Sequence, residues 1–147
     1  MDRIRRVIPK DAERIAEIIV LNYRLNFYPI FQNDDFYFNE MQVGKFAQQC
    51  RAALDGVWVY DDGAVKGVVQ IRCGEIQRLY VEPVLQGHGI GSKLLHFAVT
   101  QCHARHLWAL EKNVRAIAFY RRHGFDLTDE KRPEEGTTEY LVQLRHL

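Results

Sequence analysis

Residues 75–102 read EIQRLYVEPVLQGHGIGSKLLHFAVTQC, and this stretch decides how the rest of the chain is read. It opens as a strand: Ile76, Leu79 and Val81 are apolar, with Tyr80 between them. Pro83 has no N–H to give a ladder and ends the run. A glycine loop follows, Gln86-Gly87-His88-Gly89-Ile90-Gly91. Then comes a helix, with Leu94, Leu95, Ala98, Val99 and Cys102 at helical spacing on one face. Strand, glycine loop and helix in that order make a phosphate site. The helix start leaves N–H groups unpaired and carries the positive end of the helix dipole. Glycine lets an anion reach the backbone without meeting a Cβ.

Three loop types compete for this motif. A P-loop needs Lys directly before Ser or Thr at the end of a longer loop, whereas here Ser92 precedes Lys93. A dinucleotide fingerprint needs G-x-G-x-x-G/A and an acidic residue about 20 positions on, which Glu111 supplies. Its sixth position, counted from Gly87, is Ser92, and too little chain follows for a second βαβ half. The third type is Q/R-x-x-G-x-G/A, which Gln86 to Gly91 satisfies.

Outward from the motif, the pattern alternates strand and helix. Met1 to Val7 reads as a short strand, and Asp11 to about Leu25 as a helix with Ile15, Ile18, Ile19 and Asn22 on one side. The stretch LNFYPIFQNDDFYF has no clean period and holds six aromatics between Phe27 and Phe38. A second helix is expected from about Asn39 or Glu40 to Leu54, with Gly44 a weak point. Val57–Tyr60 and Ala64–Cys73 form a hairpin across Asp61-Asp62-Gly63. After the long helix, Leu107–Leu110 is a short buried strand. Asn113 caps a helix from Val114 to about His123, which Gly124 ends. Phe125-Asp126-Leu127 opens a strand, Lys131 to Gly136 is a polar loop, and Thr137–Leu144 is the last strand.

The chain's 147 residues suit one domain, 1–147, able to bury roughly two-thirds of its unfolded surface. The net charge of +1 comes from interspersed residues, so neither nucleic acid nor an anionic membrane is expected as a partner. No apolar run reaches the roughly 18 residues of a membrane span, and charges interrupt the start where a signal peptide would lie. Three widely spaced cysteines, Cys50, Cys73 and Cys102, read as reduced thiols and suggest a cytoplasmic protein. The histidines form no metal-ligand spacing. His96, His103, His106, His123 and His146 are expected at the surface.

Two blocks carry a family resemblance: LYVEPVLQGHGIGSKLL, residues 79–95, and LWALEKNVRAIAFYRRHGF, residues 107–125. They resemble the GNAT superfamily of acetyl-CoA-dependent N-acetyltransferases, in that family's order and at its usual separation. The resemblance implies an α/β (α+β) fold, a mixed twisted sheet of about seven strands with helices on both faces. The element order β-α-α-β-β-β-α-β-α-β-β agrees with it, and the sheet is expected to splay between Glu75–Glu82 and Leu107–Leu110.

The resemblance further implies acetyl-CoA as cosubstrate and a primary amine of unknown identity as acceptor, with a small polyamine-like or amino-sugar amine ranked above a protein tail; a homodimer stays open. Gly87, His88, Gly89, Ile90, Gly91 and Ser92 would hold the pyrophosphate, with Gln86 bracing the loop. The backbones of Leu79, Tyr80 and Val81 would pair with the pantetheine arm as another strand would, and Asn113 would touch it. Tyr120 matches the family's tyrosine at the cofactor sulfur, a proton donor to the leaving thiolate. Glu75 sits where some members place a base. Glu111 is the runner-up, and Glu82 reads as solvent-facing.

The aromatic segment Tyr23–Phe38 is expected to form one wall of the acceptor site. Asp34 or Asp35 would face a cationic acceptor, and the rings would suit an ammonium group. A non-catalytic acyl-CoA-binding module and a protein N-acetyltransferase are the alternatives. A dinucleotide-binding protein is a third.

Overall fold

The computed structural model describes residues 3–146. Seven strands form one sheet in the order β1-β2-β3-β4-β5-β7-β6. In chain order they are β1 (Ile4–Arg6), β2 (Val57–Asp61), β3 (Val65–Arg72), β4 (Glu75–Val81), β5 (His106–Leu110), β6 (Phe125–Pro133) and β7 (Tyr140–His146). Five helices accompany them: α1 (Ala12–Asn26), α2 (Tyr28–Phe31), α3 (Val43–Arg51), α4 (Ile90–Gln101) and α5 (Val114–Arg122). Every strand pair is antiparallel except β4 with β5. The mixed sheet is the one the element order implies.

Alternation along the strands splits the core between the two faces. Val57 and Val59 of β2 pack with Ile15, Ile18, Ile19, Ala47 and Cys50 from α1 and α3. Trp58 and Tyr60 point the other way, toward Leu94, Leu95 and Ala98 of α4. Period 2 in the strand and 3.6 in the helix thus meet on each face. Gly67 of β3 is small for a reason: a Cβ there would come within 2.7 Å of Leu94 Cδ1 and 3.1 Å of Ile90 Cγ2, so α4 lies close on the sheet.

Several boundaries move from the sequence reading; the last strand, for one, runs Tyr140–His146 and not Thr137–Leu144. The second helix begins at Val43 rather than at Asn39 or Glu40, because Asp35–Glu40 forms a separate π-helical turn. Arg24 of α1 holds that turn by donating to the carbonyls of Tyr37 (3.1 Å) and Met41 (3.3 Å). Four of the six clustered aromatics, Phe27, Tyr28, Phe31 and Tyr37, join a small core with Val20 and Met41. Phe36 and Phe38 stay exposed.

Lys131 to Pro133 belong to β6 and not to a loop; the register slips between Leu127 and Lys131, and pairing with β7 then resumes. A charged edge strand with a bulge reads as a loop by composition, although such charges are what keep an edge from pairing with other chains. The expected first strand is described only as Ile4–Arg6, its first two residues lying outside the described residues.

Candidate active site

The parallel pair β4–β5 is joined only at Glu75–His106 and Ile76–Leu107. From Gln77 onward β4 has no neighbour on that side, so the sheet opens into a cleft whose walls include Leu79, Tyr80, Val81 and, across the gap, Asn113 and Tyr120. The free β4 edge runs directly toward the glycine loop.

In that loop Gly87 and Gly89 both take left-handed backbone conformations, φ 85° and 86°, with open space where a Cβ would stand. Both need glycine for the turn. The exposed His88 ring faces the Leu85 carbonyl at 3.0 Å from Nδ1 and so braces the turn. Ile90 begins the 12-residue α4, whose first N–H groups have no partner within the helix, and Gly89, Gly91 and Ser92 line the cleft. Lys93 leans away over the Tyr60 ring, 5.7 Å from its centroid.

Ser92 has a partner that spacing did not announce. His123, expected at the surface, is half-buried: Nδ1 stands 2.8 Å from the Phe119 carbonyl and Nε2 2.9 Å from Ser92 Oγ. A carbonyl only accepts, so Nδ1 carries a proton and donates to Phe119, while Nε2 shares a hydrogen bond with the Ser92 hydroxyl. His106 is also half-buried, with Nε2 3.4 Å from Glu75 Oε1. Both corrections have one cause: sequence spacing cannot show which helix or strand lies alongside.

Asn22 is the second residue that sequence reasoning placed only as part of a buried face. It is 1% exposed. Its amide donates to Ile18 O (2.8 Å) and to Val81 O (2.9 Å). Its Oδ1 accepts from Gln86 Nε2 at 3.0 Å. One buried side chain therefore ties α1 to the end of β4 and to the first residue of the glycine loop. A polar residue on an otherwise apolar helix face was the available signal.

Tyr120 is buried, stacked edge-on against Phe119 and Phe125, and its side chain lines the cleft. Its hydroxyl has no hydrogen-bond partner among the described residues. Desolvation holds its phenol well above the ordinary value, so it stays protonated. On the opposite wall the Tyr80 ring meets Tyr23 edge-on at 5.7 Å. Desolvation pushes the Tyr80 phenol up too, with Tyr23 and Tyr120 close enough to add to it and Arg78 opposing. Asn113 caps α5 by accepting from Ala116 N at 3.3 Å, and it also lines the cleft.

Glu75 reaches the cleft because of a bulge. Arg78 pairs with Gln70, but Ile76 pairs with Ile71, so Gln77 is an extra residue in β4. Ile76, Leu79 and Val81 all pack in the α4-side core, which strict alternation forbids and the bulge permits. Glu75 is thereby turned to the face that carries Arg78 and Tyr80. Glu111 pairs with Lys131 at 3.0 Å on the surface, and Glu82, expected in solvent, is held by Arg14 at 3.0 Å.

The aromatic segment lines the cleft through Tyr23, Phe27, Phe31, Phe36 and Tyr37. Asp34 and Asp35 are not part of it. Asp34 accepts from the Tyr28 hydroxyl and Asp35 from Asn39 Nδ2 at 3.2 Å, both on the exposed side of the π turn. The carboxylates that do line the cleft besides Glu75 are Glu134 and Glu135, in the turn between β6 and β7.

Comparisons with known proteins agree with this geometry. A family model described as an acetyltransferase (GNAT) domain matches residues 53–127, about half of the chain and the part that holds the glycine loop and Tyr120. A curated relative, an uncharacterized N-acetyltransferase of Methanocaldococcus jannaschii, is 28% identical over 142 residues. That match takes in 84% of this chain, which spans 60% of the relative's length. Among solved structures, the apo form of YjaB from Escherichia coli superposes with a TM-score of 0.74 at 21% identity, covering 98% of this chain and 96% of that one. An N-acetyltransferase from Staphylococcus aureus gives 0.77 at 16%, covering 98% and 100%. The PaiA N-acetyltransferase of Thermoplasma acidophilum, solved with coenzyme A, gives 0.67 at 19%, covering 99% and 100%. At these identities the solved structures speak for the fold, and the family match speaks for descent: the chain belongs to the GNAT family of acetyltransferases.

Proposed function

We propose that the protein moves an acetyl group from acetyl-CoA to a primary amine, directly and within a ternary complex. One observation carries the reading: an unpaired β4 edge leads from the glycine loop at one end to a protonated, unpartnered phenol, Tyr120, across the gap.

Each wall has a task. The N–H groups of the loop and of the start of α4, Gly87 to Ser92, receive the pyrophosphate, with Gln86 and Asn22 fixing the loop against β4. The exposed edge at Leu79, Tyr80 and Val81 pairs with the amides of the pantetheine arm. A backbone N–H there also stabilises the oxyanion as it forms. Asn113 faces the arm with the amide nitrogen that its capping bond leaves free.

The acceptor enters from the α1–α3 side. Its nitrogen attacks the thioester carbonyl carbon and a C–N bond forms. Collapse of the tetrahedral intermediate breaks the C–S bond, and the Tyr120 hydroxyl gives its proton to the departing sulfur. The proton lost by the amine goes to Glu75, directly or through water. A module that only bound acyl-CoA would need no phenol at the sulfur.

Calorimetry with acetyl-CoA, followed by a screen of an amine library for release of free thiol, tests the reading. The expected result is saturable binding and at least one acceptor that releases coenzyme A. Absence of acetyl-CoA binding sinks the proposal.

A further inference from the structure

We propose that the acceptor carries a carboxylate next to its amine and that Arg78 receives it. This rests on the transferase reading and names the substrate class of the same site.

Arg78 stands on β4 one residue before Leu79, on the face of Tyr80 and Glu75, and it lines the cleft. Its guanidinium lies over the Phe46 ring, 5.2 Å from the centroid, and near enough to Cys50 for its charge to oppose the upward push that burial gives the thiol. Those contacts fix its position and leave its charge uncompensated. Among the described residues no carboxylate pairs with it, although the chain's nine closest ion pairs engage most of the other buried or half-buried charges. A planar guanidinium held on a ring, with free N–H groups turned to a cleft, is the geometry that takes a carboxylate in two parallel hydrogen bonds.

The other charges on this side support a zwitterion over a polyamine. Glu75 and the Glu134–Glu135 turn offer negative charge for the amine. Arg132, stacked over Trp108 at 4.2 Å, adds a second positive group at the far rim and has no ion-pair partner among the described residues. Arg115 and Arg122 sit on α5 and line the same cleft. A purely cationic acceptor would meet Arg78 beside the point of reaction. The two aspartates that could have attracted it, Asp34 and Asp35, lie outside the cleft.

The test uses matched probes at saturating acetyl-CoA: the twenty common L-amino acids, each with its carboxamide, and 1,4-diaminobutane and spermidine as cationic controls. In the wild type at least one amino acid should exceed its amide by roughly tenfold or more in kcat/KM, the size of one charge-assisted contact. The amide's amine is the less basic of the pair, so the bias of the comparison runs against the proposal. Arg78→Gln should bring that ratio to about one, mainly through KM, and leave the acetyl-CoA Kd within about twofold. Arg78→Lys should keep part of the preference, because it retains charge without the fork. Arg78→Glu should turn the preference toward the diamine, a gain that misfolding cannot imitate.

Equal or faster turnover of the amides or diamines by the wild type overturns the proposal, as does an equal loss for both members of a pair in Arg78→Gln. Intact acetyl-CoA binding with no amino acid acetylated overturns it alone. No acetyl-CoA binding overturns the transferase reading beneath it.

Discussion

The two walls of the cleft are built in different ways. The wall from β4 through the glycine loop into α4 is made of backbone: an unpaired strand edge, two left-handed glycines and the start of a helix. The aromatic wall from Tyr23 to Met41 is made of side chains, packed in a small core of its own and pinned by Arg24. Backbone geometry is fixed by a few obligatory residues, so this wall carries a motif and suits a part of the substrate that never changes. Side-chain walls can be rebuilt by many substitutions, so the second carries no motif and suits the part that varies.

The contrast predicts how each wall fails, and the backbone wall should fail hardest. Gly89→Glu places a carboxylate where phosphate is expected, at a backbone angle that L residues rarely adopt. Acetyl-CoA affinity should fall by more than about 10²-fold, near 3 kcal/mol, by calorimetry. Saturating acetyl-CoA should then no longer raise the melting temperature as it does for the wild type.

Tyr120→Phe should lower kcat by roughly 10²-fold with the acetyl-CoA Kd unchanged, a split visible in steady-state kinetics and calorimetry. Desolvation raises the Tyr120 phenol, so it stays protonated. Loss of wild-type activity between neutrality and about pH 10 would therefore belong to another group.

Asn22→Leu tests the tie between the walls. It strips partners from the Val81 carbonyl and the Gln86 amide. Chemical denaturation should show a loss of about 1–3 kcal/mol, the range for orphaning a buried polar group. Acetyl-CoA binding should weaken as well; full affinity in a destabilised variant would reduce Asn22 to a core residue.

Glu75→Gln should slow turnover roughly tenfold at acidic pH, where the acceptor is protonated, and much less at alkaline pH. An unchanged pH–rate profile removes Glu75 as base. The smallest effect is expected from Asp34→Lys combined with Asp35→Lys. Both side chains sit outside the cleft, so acceptor KM should move by less than about twofold, the scale of exposed charge effects. A tenfold change would extend the aromatic wall to the outer side of the π turn.

What could be read from the sequence follows the same division. The glycine loop, the strand before it and the helix after it were legible because each needs particular residues at fixed offsets. The divergence of β4 from β5 followed only from the family resemblance, since no local pattern marks where two strands part. Composition misplaced the Lys131–Pro133 strand, because a charged edge and a loop share the same residues. The π turn was invisible, for its aromatics are sorted by packing against Val20 and Met41 and not by any period. Asn22, His123 and Arg78 depend on neighbours 59, 31 and 32 positions away in sequence. One-dimensional spacing does not hold such information.

Gln77 has a consequence beyond its own contacts. A strand is a two-phase object: each residue shows one face or the other, and an inserted residue exchanges the phases of everything on one side of it. In β4 the insertion lies between Glu75 and the cleft's centre. The bulge takes Gln77 out of the alternation, so Glu75 keeps the phase of Arg78 and Tyr80 despite the extra residue. A relative of equal length with an unbulged strand would turn an identical glutamate into the α4-side core, whereas one lacking both Gln77 and the bulge would keep it on the reaction side, so pairing register is a safer guide to equivalent residues here than counting from the glycine loop.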